Sequence, residues 1–198
     1  MASTHPSLDQ RQRRRQIRFR GLRQRRPGKR TGSSDALTGQ QQLIVKTSVG
    51  SSAAYNVTVN ATQPDCSPSS FKINGVPYVV AVLSDGSYAL PTGAISGVTS
   101  RPAHPGETVT MYGVGFGPVT PNTPAGQLAQ QLTMLPPSVT MSIGGMAVSL
   151  PSAGLAPNFT GLYQFDVTIP TVPSGNAPLT FSLNGTAGVQ TLYVAVQD

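Results

Sequence analysis

Apolar and polar residues alternate with a period of two along most of the chain after residue 41. Successive side chains of a β-strand point to opposite faces of the sheet, so each alternating run predicts a half-buried antiparallel strand. The segment Val76 to Leu83 is more continuously apolar. It predicts a strand covered on both faces, or one beside the first segment. The alternating runs are residues 55–59, 108–112, 139–143, 146–150, 163–169, 179–183 and 192–196.

Turn residues separate these runs. Gly144-Gly145 lies between two alternating segments and indicates a tight hairpin, because both residues tolerate positive φ. Asn74-Gly75, Asp85-Gly86 and Asn184-Gly185 have the same character. Short strands joined by such turns predict an all-β fold, an antiparallel β-sandwich.

Helical periodicity is weak throughout. The best candidate, Gly126 to Leu135, places Leu128, Leu132 and Leu135 at helical spacing, but it is short and ends at Pro136-Pro137. We therefore expect a loop with one helical turn. No stretch approaches the 18 apolar residues of a membrane span, and no export signal is expected in this chain.

Composition agrees with strands and turns. The 198 residues include 21 Gly and 18 Pro, and 11% are charged, well below the roughly 25% of an average soluble domain. The formal charge of +7 is concentrated in residues 1–30, which hold eleven of the fourteen Lys and Arg residues and one acid. The rest of the chain has three basic and six acidic residues, a formal charge of −3.

Residues 1–40 are predicted to be a disordered arginine-rich arm, since they are too polar to offset the entropy cost of ordering. Their basic residues are candidates for nonspecific binding to polyanions, either nucleic acid or anionic membrane. These candidates are Arg11, Arg13, Arg14, Arg15, Arg18, Arg20, Arg23, Arg25, Arg26, Lys29 and Arg30.

Residues that could carry catalysis are few in the rest of the chain. His104 lies between prolines in a loop. The acids, Asp85, Glu107 and Asp166 among them, are scattered in sequence, and Glu107 is interpreted as a solvated residue at a strand entrance. We therefore predict no enzyme, no metal site and no cofactor. The single Cys66 rules out an intrachain disulfide and is interpreted as a semi-buried thiol.

The segment Gly113-Val-Gly-Phe-Gly117 has three glycines, but its spacing matches neither a dinucleotide fingerprint nor a phosphate-binding P-loop. We interpret the glycines as allowing the chain to bulge and turn after the strand at Val109, while Phe116 fills the core. The turn Asp85-Gly-Ser87 offers one carboxylate, too few for a calcium ion, and is interpreted as a plain turn.

A series of motifs resembles a known family. Arg101-Pro-Ala-His-Pro-Gly-Glu-Thr-Val-Thr-Met-Tyr-Gly-Val-Gly-Phe-Gly-Pro118 is followed by Ile143-Gly-Gly-Met-Ala147, Ala153-Gly-Leu-Ala-Pro157 and Gly161-Leu-Tyr-Gln-Phe-Asp-Val-Thr-Ile-Pro170. These motifs resemble the uncharacterised C-terminal domain of acidobacterial, Solibacter-type secreted proteins, a relative of the IPT/TIG immunoglobulin-like modules. The resemblance implies an immunoglobulin-like sandwich in a secreted or cell-surface bacterial protein. It carries over no functional residues.

The resulting domain division has four parts. Residues 1–40 form the arm, 41–62 the remnant strands of a preceding module, 63–101 a linker and leading strand, and 102–198 the immunoglobulin-like sandwich. The expected function is that of a non-catalytic structural, adhesion or binding module, a fragment of a longer chain, whose partner is a protein or polysaccharide at the cell surface. Its contacts would come from strand edges and from end loops such as Pro118 to Pro137. The alternatives are polyanion binding through the arm and a carbohydrate-binding module; the absence of Trp speaks against the second.

Overall fold

The fold is all-β, as predicted. The computed structural model describes residues 37–66, 70–124, 126–131, 133–136 and 138–198, and no helix occurs among them. The chain divides into two compact units, residues 1–60 and 61–198. The predicted disordered arm lies outside the described residues except for its last four positions.

The described part of the first unit is a hairpin of four strands, which form two two-stranded sheets. These are β1 Gly39–Leu43, β2 Lys46–Thr47, β3 Gly50–Ser51 and β4 Tyr55–Val59. β1 pairs antiparallel with β4, and β2 pairs with β3 nearer the tip. Leu43 lies opposite Tyr55, and Gln41 lies opposite Val57, so one face of the β1–β4 ladder carries most of its apolar side chains.

The second unit contains strands β5 to β17. In chain order they are Phe71–Ile73, Val76–Tyr78, Ala81–Leu83, Tyr88–Ala89, Ser100–Arg101, Thr108–Gly113, Val139–Ile143, Met146–Ala147, Ser152–Leu155, Tyr163–Thr168, Gly175–Leu183, Thr186–Ala187 and Leu192–Val196.

These strands form two sheets. The first sheet has the order β13-β14-β10-β7-β8-β9, and the second has the order β12-β11-β15-β17-β6-β5, with β16 also paired to β15. In chain order, β7, β10, β11, β13, β14, β15 and β17 correspond to strands A to G of an immunoglobulin domain. The orders A-B-E-D in one sheet and C-F-G in the other are those of the immunoglobulin fold. The prediction of an immunoglobulin-like sandwich is therefore confirmed.

One continuous core lies between the sheets. Alternate residues of the facing strands are buried, such as Val109 and Met111 on β10 and Phe165 on β14. The ring of Phe116 contacts both sheets, with its centroid 4.7 Å from that of Phe165 on the first sheet and 5.6 Å from that of Phe181 on the second. The two-residue alternation in the sequence thus records which side of each strand faces the core.

The apolar segment 76–83 crosses from one sheet to the other. Its first half, β6, pairs parallel with β17 in the second sheet, and its second half, β7, pairs with β10 in the first. Val79, between the two strands, is fully buried. A strand that changes sheets turns a different side to the core in each half, which explains why the apolar run has no simple alternation.

Residues 63–101 are more than a linker and a leading strand. They contribute β5 to β9 to the two sheets, and the compact unit begins at residue 61, so residue 102 does not mark an edge of the sandwich. A second, smaller apolar cluster joins this segment to the last strand. Its buried members are Tyr78, Leu90 and Ala195.

Candidate binding surface

The eleven basic residues predicted to bind polyanions, Arg11 to Arg30, lie outside the described residues. The strand edges and the long loop after β10, which the sequence also indicates, lie within them, except for loop positions 125, 132 and 137. The loop occupies residues 114–138 and connects β10 to β11, which lie in different sheets.

The loop begins with the glycine-rich turn. Gly115 has a φ of +78°, and a Cβ at this position would lie 2.0 Å from the carbonyl oxygen of Gln63, so no other residue fits. Phe116 is 2% exposed and packs on Phe165, and the hydroxyl of Tyr163 donates a hydrogen bond to the carbonyl of Gly117. The predicted role of this segment, a glycine turn around a core phenylalanine, is confirmed.

Buried side chains then hold the loop against the sandwich. Val119, Ala129, Thr133 and Leu135 are each at most 8% exposed. The segment 126–131 and 133–135 forms no helix, so the predicted helical turn is absent from these described residues. Its buried positions alternate near Thr133 and Leu135 because this part of the chain runs in an extended conformation along the sheet.

The loop covers the outer edge of the first sheet. The N–H of Leu135 donates to the carbonyl of Ala153 at 2.8 Å, and the N–H of Leu155 donates to the hydroxyl of Thr133 at 2.8 Å. Gly154 permits this approach, since a Cβ there would lie 1.9 Å from the carbonyl oxygen of Thr133. The exposed edge of β13 is thereby occupied by the chain's own loop.

A second loop, between β13 and β14, is joined to the first. The N–H of Ala129 donates to the carbonyl of Phe159 at 3.1 Å, and the N–H of Asn158 donates back to the carbonyl of Ala129 at 2.9 Å. Phe159 is thus a backbone partner of Ala129, and Leu128 directly precedes Ala129 in the chain. The two loops form one structured end of the sandwich.

Three large apolar side chains on these loops face solvent. Leu128 is 53% exposed, Met134 63% and Phe159 54%. We call these three residues the end-loop surface. No charged residue occurs in 118–137 or in 156–162, so the surface is uncharged along both loops.

Charged residues gather elsewhere, around Arg101 at the end of β9. Its guanidinium donates to the Asp85 carboxylate with two N–H groups, each at 3.1 Å, and to the Glu107 carboxylate at 2.8 and 2.9 Å. Glu107 also accepts the N–H of His104, and Asp85 accepts the N–H of Ser87. Glu107 lies at the entrance of β10, as predicted, and is partly exposed, but it is also paired with Arg101. Asp85 and Glu107 are distant in sequence, and the fold brings both to one arginine.

Arg101, Asp85 and Glu107 form what we call the Arg101 clamp. The pKa of each of its two carboxyl groups is lowered. Hydrogen bonds from Ser87, and the guanidinium of Arg101, lower the pKa of Asp85 from 3.8 to about 2. The hydrogen bonds from Arg101 likewise lower the pKa of Glu107. Both carboxylates are therefore held ionised, the state suited to an ion pair and unsuited to a general acid. The turn at Asp85 is a hydrogen-bonded Asx-turn, as its plain interpretation predicts.

Two other polar side chains of the sandwich, those of Asp166 and Cys66, have structural roles. Asp166 lies on the polar side of β14, as predicted, and accepts a hydrogen bond from the Thr110 hydroxyl at 2.9 Å. Cys66 is 1% exposed, more buried than predicted, and burial raises the pKa of its thiol to about 12. It is therefore a protonated core residue at neutral pH.

A neutral crevice of about 260 Å³ lies beside the hairpin of β15 and β16. Thr62, Gln63 and Pro64 form one wall, and residues 183–189 form the other. Val189 stands at its rim and is 88% exposed. The crevice has no charged side chain in its walls, so it lacks a group that would fix a charged ligand.

Sequence reasoning identified the long loop as a place for contacts but missed the residues that face outward from it. Leu128 was assigned to a short helical pattern, and Phe159 was not considered. The available signal was the presence of apolar residues in two loops that lack any charge.

Comparison with protein-family models, with curated proteins and with solved structures found no match. The described part of the chain contains no helix of the length and apolarity needed to span a bilayer.

Proposed function

We propose that residues 61–198 are a non-catalytic immunoglobulin-like binding or adhesion module of a secreted or cell-surface bacterial protein, and that it contacts its partner through the end-loop surface. The observation that carries this proposal is the combination of exposure and anchoring. Leu128, Met134 and Phe159 are more than half exposed, although the loops around them are fixed by buried residues and by backbone hydrogen bonds.

The anchoring of these loops is important because an ordered loop binds a partner at a lower entropy cost than a flexible one. A loop that is already ordered loses little conformational entropy when a partner binds, so more of the contact energy appears as affinity. Loops held on a rigid sandwich are also the usual place for recognition in immunoglobulin-like domains. A few central, well-packed side chains supply most of the binding energy in such contacts, and aromatic residues and Met are enriched at interfaces.

The chemistry of the partner follows from the lack of charge. The end-loop surface offers apolar side chains on loops whose other residues include Thr, Asn and Gln. It suits an uncharged apolar patch on a protein, or the weakly polar face of a polysaccharide. Binding there should depend little on salt, since no ion pair contributes.

Co-sedimentation tests the proposal. Cellulose, chitin and washed bacterial cell envelopes serve as the insoluble partners, and the fraction of protein retained is measured against salt. We expect retention by at least one partner that is insensitive to salt, and we expect Leu128→Asp with Phe159→Asp to reduce it about tenfold or more, as for the loss of central contact residues.

Val189→Asp is the matched control, because Val189 is also an exposed apolar residue of the second unit but lies at the crevice. Equal loss in the control and in the double variant would reject the end-loop surface as the binding site. A measured catalytic activity that a point change inside the sandwich abolishes, with folding intact, would reject the non-catalytic function itself.

A second candidate function is polyanion binding by residues 11–30, which the separation of charge in the sequence favours. Eleven basic residues in this segment would displace counterions from a phosphate backbone, so affinity would fall steeply with salt. Removal of residues 1–36 should abolish binding to a DNA duplex or to anionic vesicles, and binding that survives the removal would contradict this function.

A further inference from the structure

The edges of the sheets in the second unit are protected against pairing with another chain. In the described residues, β9 and β12 have two residues each, and β5 has three, with an exposed lysine at Lys72. The loop at Thr133 to Leu135 covers β13. Short edges, charged edge residues and covering loops are the devices by which soluble sheets avoid unwanted strand pairing.

The β1–β4 ladder of the first unit has none of these devices. β1 and β4 are five residues long, and among the described residues they form a two-stranded sheet with no third strand at either edge. No charged residue occurs in 37–45 or in 52–60. Neither strand contains a proline. Within residues 37–60, the outer backbone groups of β1 and β4 therefore have no strand partner, and both edges are neutral.

A hairpin of this kind is also incomplete as a folding unit. A two-stranded ribbon is marginally stable in water, and three or more strands with an apolar face are needed for independent stability. Here the face with Leu43, Tyr55 and Val57 is apolar, and Tyr55 is 70% exposed. An added strand would both satisfy the open edge and widen this face.

β1 is the strand best suited to pair with a copy of itself. It contains Gln40-Gln41-Gln42, followed by Leu43-Ile44-Val45. Glutamine amides both donate and accept, so identical strands place complementary groups opposite each other, and a neutral strand brings no repulsion to its own copy. Antiparallel pairing of two β1 edges is related by a two-fold axis, so a dimer uses the β1 edge of both copies completely.

We infer that residues 39–45 form a self-association edge, through which two copies of the chain join their hairpins into one four-stranded sheet in the order β4-β1-β1-β4. The occupant of the edge is the same strand of a second copy. This inference concerns the first unit alone and does not depend on the function of the end-loop surface.

Sedimentation velocity on the full chain, between about 1 and 100 μM, tests this inference, because that range brackets the dissociation constants of weak to moderate dimers. We expect the sedimenting species to shift from monomer mass to dimer mass within the range. The shift should persist in about 1 M NaCl, where the Debye length is about 3 Å. Dimer that disappears in salt would assign the association to the charged arm and overturn the inference, as would a monomer at every concentration.

Paired lysine substitutions test which strand forms the dimer interface, which we call the seam. Gln40→Lys with Gln42→Lys places like charges close across the two-fold axis and should weaken the dimer about tenfold or more. Asn56→Lys with Thr58→Lys is the matched control, since these residues lie opposite Gln42 and Gln40 on the other strand of the same hairpin. A control that dissociates the dimer while the β1 variant leaves it intact would overturn the assignment to β1.

Cysteine cross-linking guards against a variant that merely unfolds the hairpin. Single cysteines at Gln40, Gln41 and Gln42 are oxidised mildly, and at least one should yield a covalent dimer of otherwise unchanged protein. Cysteines at Asn56 and Thr58 should not. The native Cys66 is 1% exposed and does not compete. Equal cross-linking from both strands, or none from β1, would contradict a β1 seam.

Discussion

Arg101 brings together three of the seven charged residues in 61–198, namely itself, Asp85 and Glu107. Its side chain, 33% exposed, ties the end of β9 to the Asp85 turn and to the strand entrance at Glu107. Because three separate segments share one guanidinium, the loss of this residue releases two carboxylates together. Such a network contributes more than an isolated surface pair, although exposure to solvent limits each contact.

The first prediction concerns Arg101→Gln and its pH dependence. Arg101 is the largest cause of the lowered pKa of Glu107, so the contribution of Glu107 to stability is present above its unfolded pKa of 4.5 and is lost as the pH falls below it. The pKa of Asp85, lowered to about 2, acts with the same sign, but its largest cause is hydrogen bonding from Ser87, which the variant retains. Thermal unfolding of both proteins by circular dichroism should show wild type more stable at neutral pH, with a gap that closes between about pH 4 and pH 2. A gap that stays constant with pH would contradict an ionic clamp.

At the scale of elements, Phe116 connects the loop, the first sheet and the second sheet. The turn that positions it depends on Gly115, and its ring packs against Phe165 and Phe181. An aromatic ring at the centre of three elements is expected to stabilise the folded state strongly, because its removal leaves a cavity that the sheets cannot close.

The second prediction compares two phenylalanines. Phe116→Ala, at a site 2% exposed, should lower the free energy of unfolding by about 3–5 kcal/mol. Phe159→Ala, at a site 54% exposed, should change it by less than about 0.5 kcal/mol. Urea unfolding followed by tyrosine fluorescence measures both. Similar values for the two variants would mean that Phe116 does not join the sheets.

Much of the strand inventory was predictable from alternation alone. Strands β4, β10, β11, β14 and β17 coincide with alternating runs to within a residue or two. The run at 146–150 yielded only the short β12, and β13 at Ser152–Leu155 was not predicted, because its glycine and neighbouring proline hide the pattern. The sheet change at Val79 was also hidden, since alternation in a single strand does not say which sheet that strand joins.

The candidate binding surface was predictable in position but not in detail. Loop length indicates 118–137, but the exposure of Leu128 and Met134 depends on the burial of their neighbours, Ala129 and Leu135, in the core. The position of this loop on the sheet depends on the hydrogen bond to the Thr133 hydroxyl and on the close approach that Gly154 permits. These two residues lie 21 positions apart in the chain. The Arg101 clamp was missed for the same reason, because it joins residues that only the folded sheet brings together.

At the scale of the whole molecule, the sandwich depends on contacts between its last strand and segments far earlier in the chain. β17 pairs in parallel with β6, where Tyr193 lies opposite Tyr78, and Ala103 bridges to Val196. Leu192, Val194 and Val196 are also buried in the main core. The final strand therefore supplies both a central sheet position and part of the core.

The third prediction is that a chain ending at Thr191 does not fold its sandwich. Loss of β17 separates β15 from β6 and removes three core side chains, well beyond the usual margin of stability. Far-ultraviolet circular dichroism and hydrogen exchange should show the loss of strand protection. A chain ending at Val196 keeps β17 and serves as the control, which should unfold cooperatively. Strand protection retained in the shorter chain would contradict a closing role for β17.

The pairing of β6 with β17 also sets the order of events during synthesis. The ribosome releases β6 more than a hundred residues before it releases its partner, so the apolar segment around Tyr78 to Leu83 waits without a complete sheet for most of translation. Contacts between such distant segments form slowly, and a half-made sheet is prone to aggregation. The nascent chain should therefore need protection by chaperones until its last strand emerges.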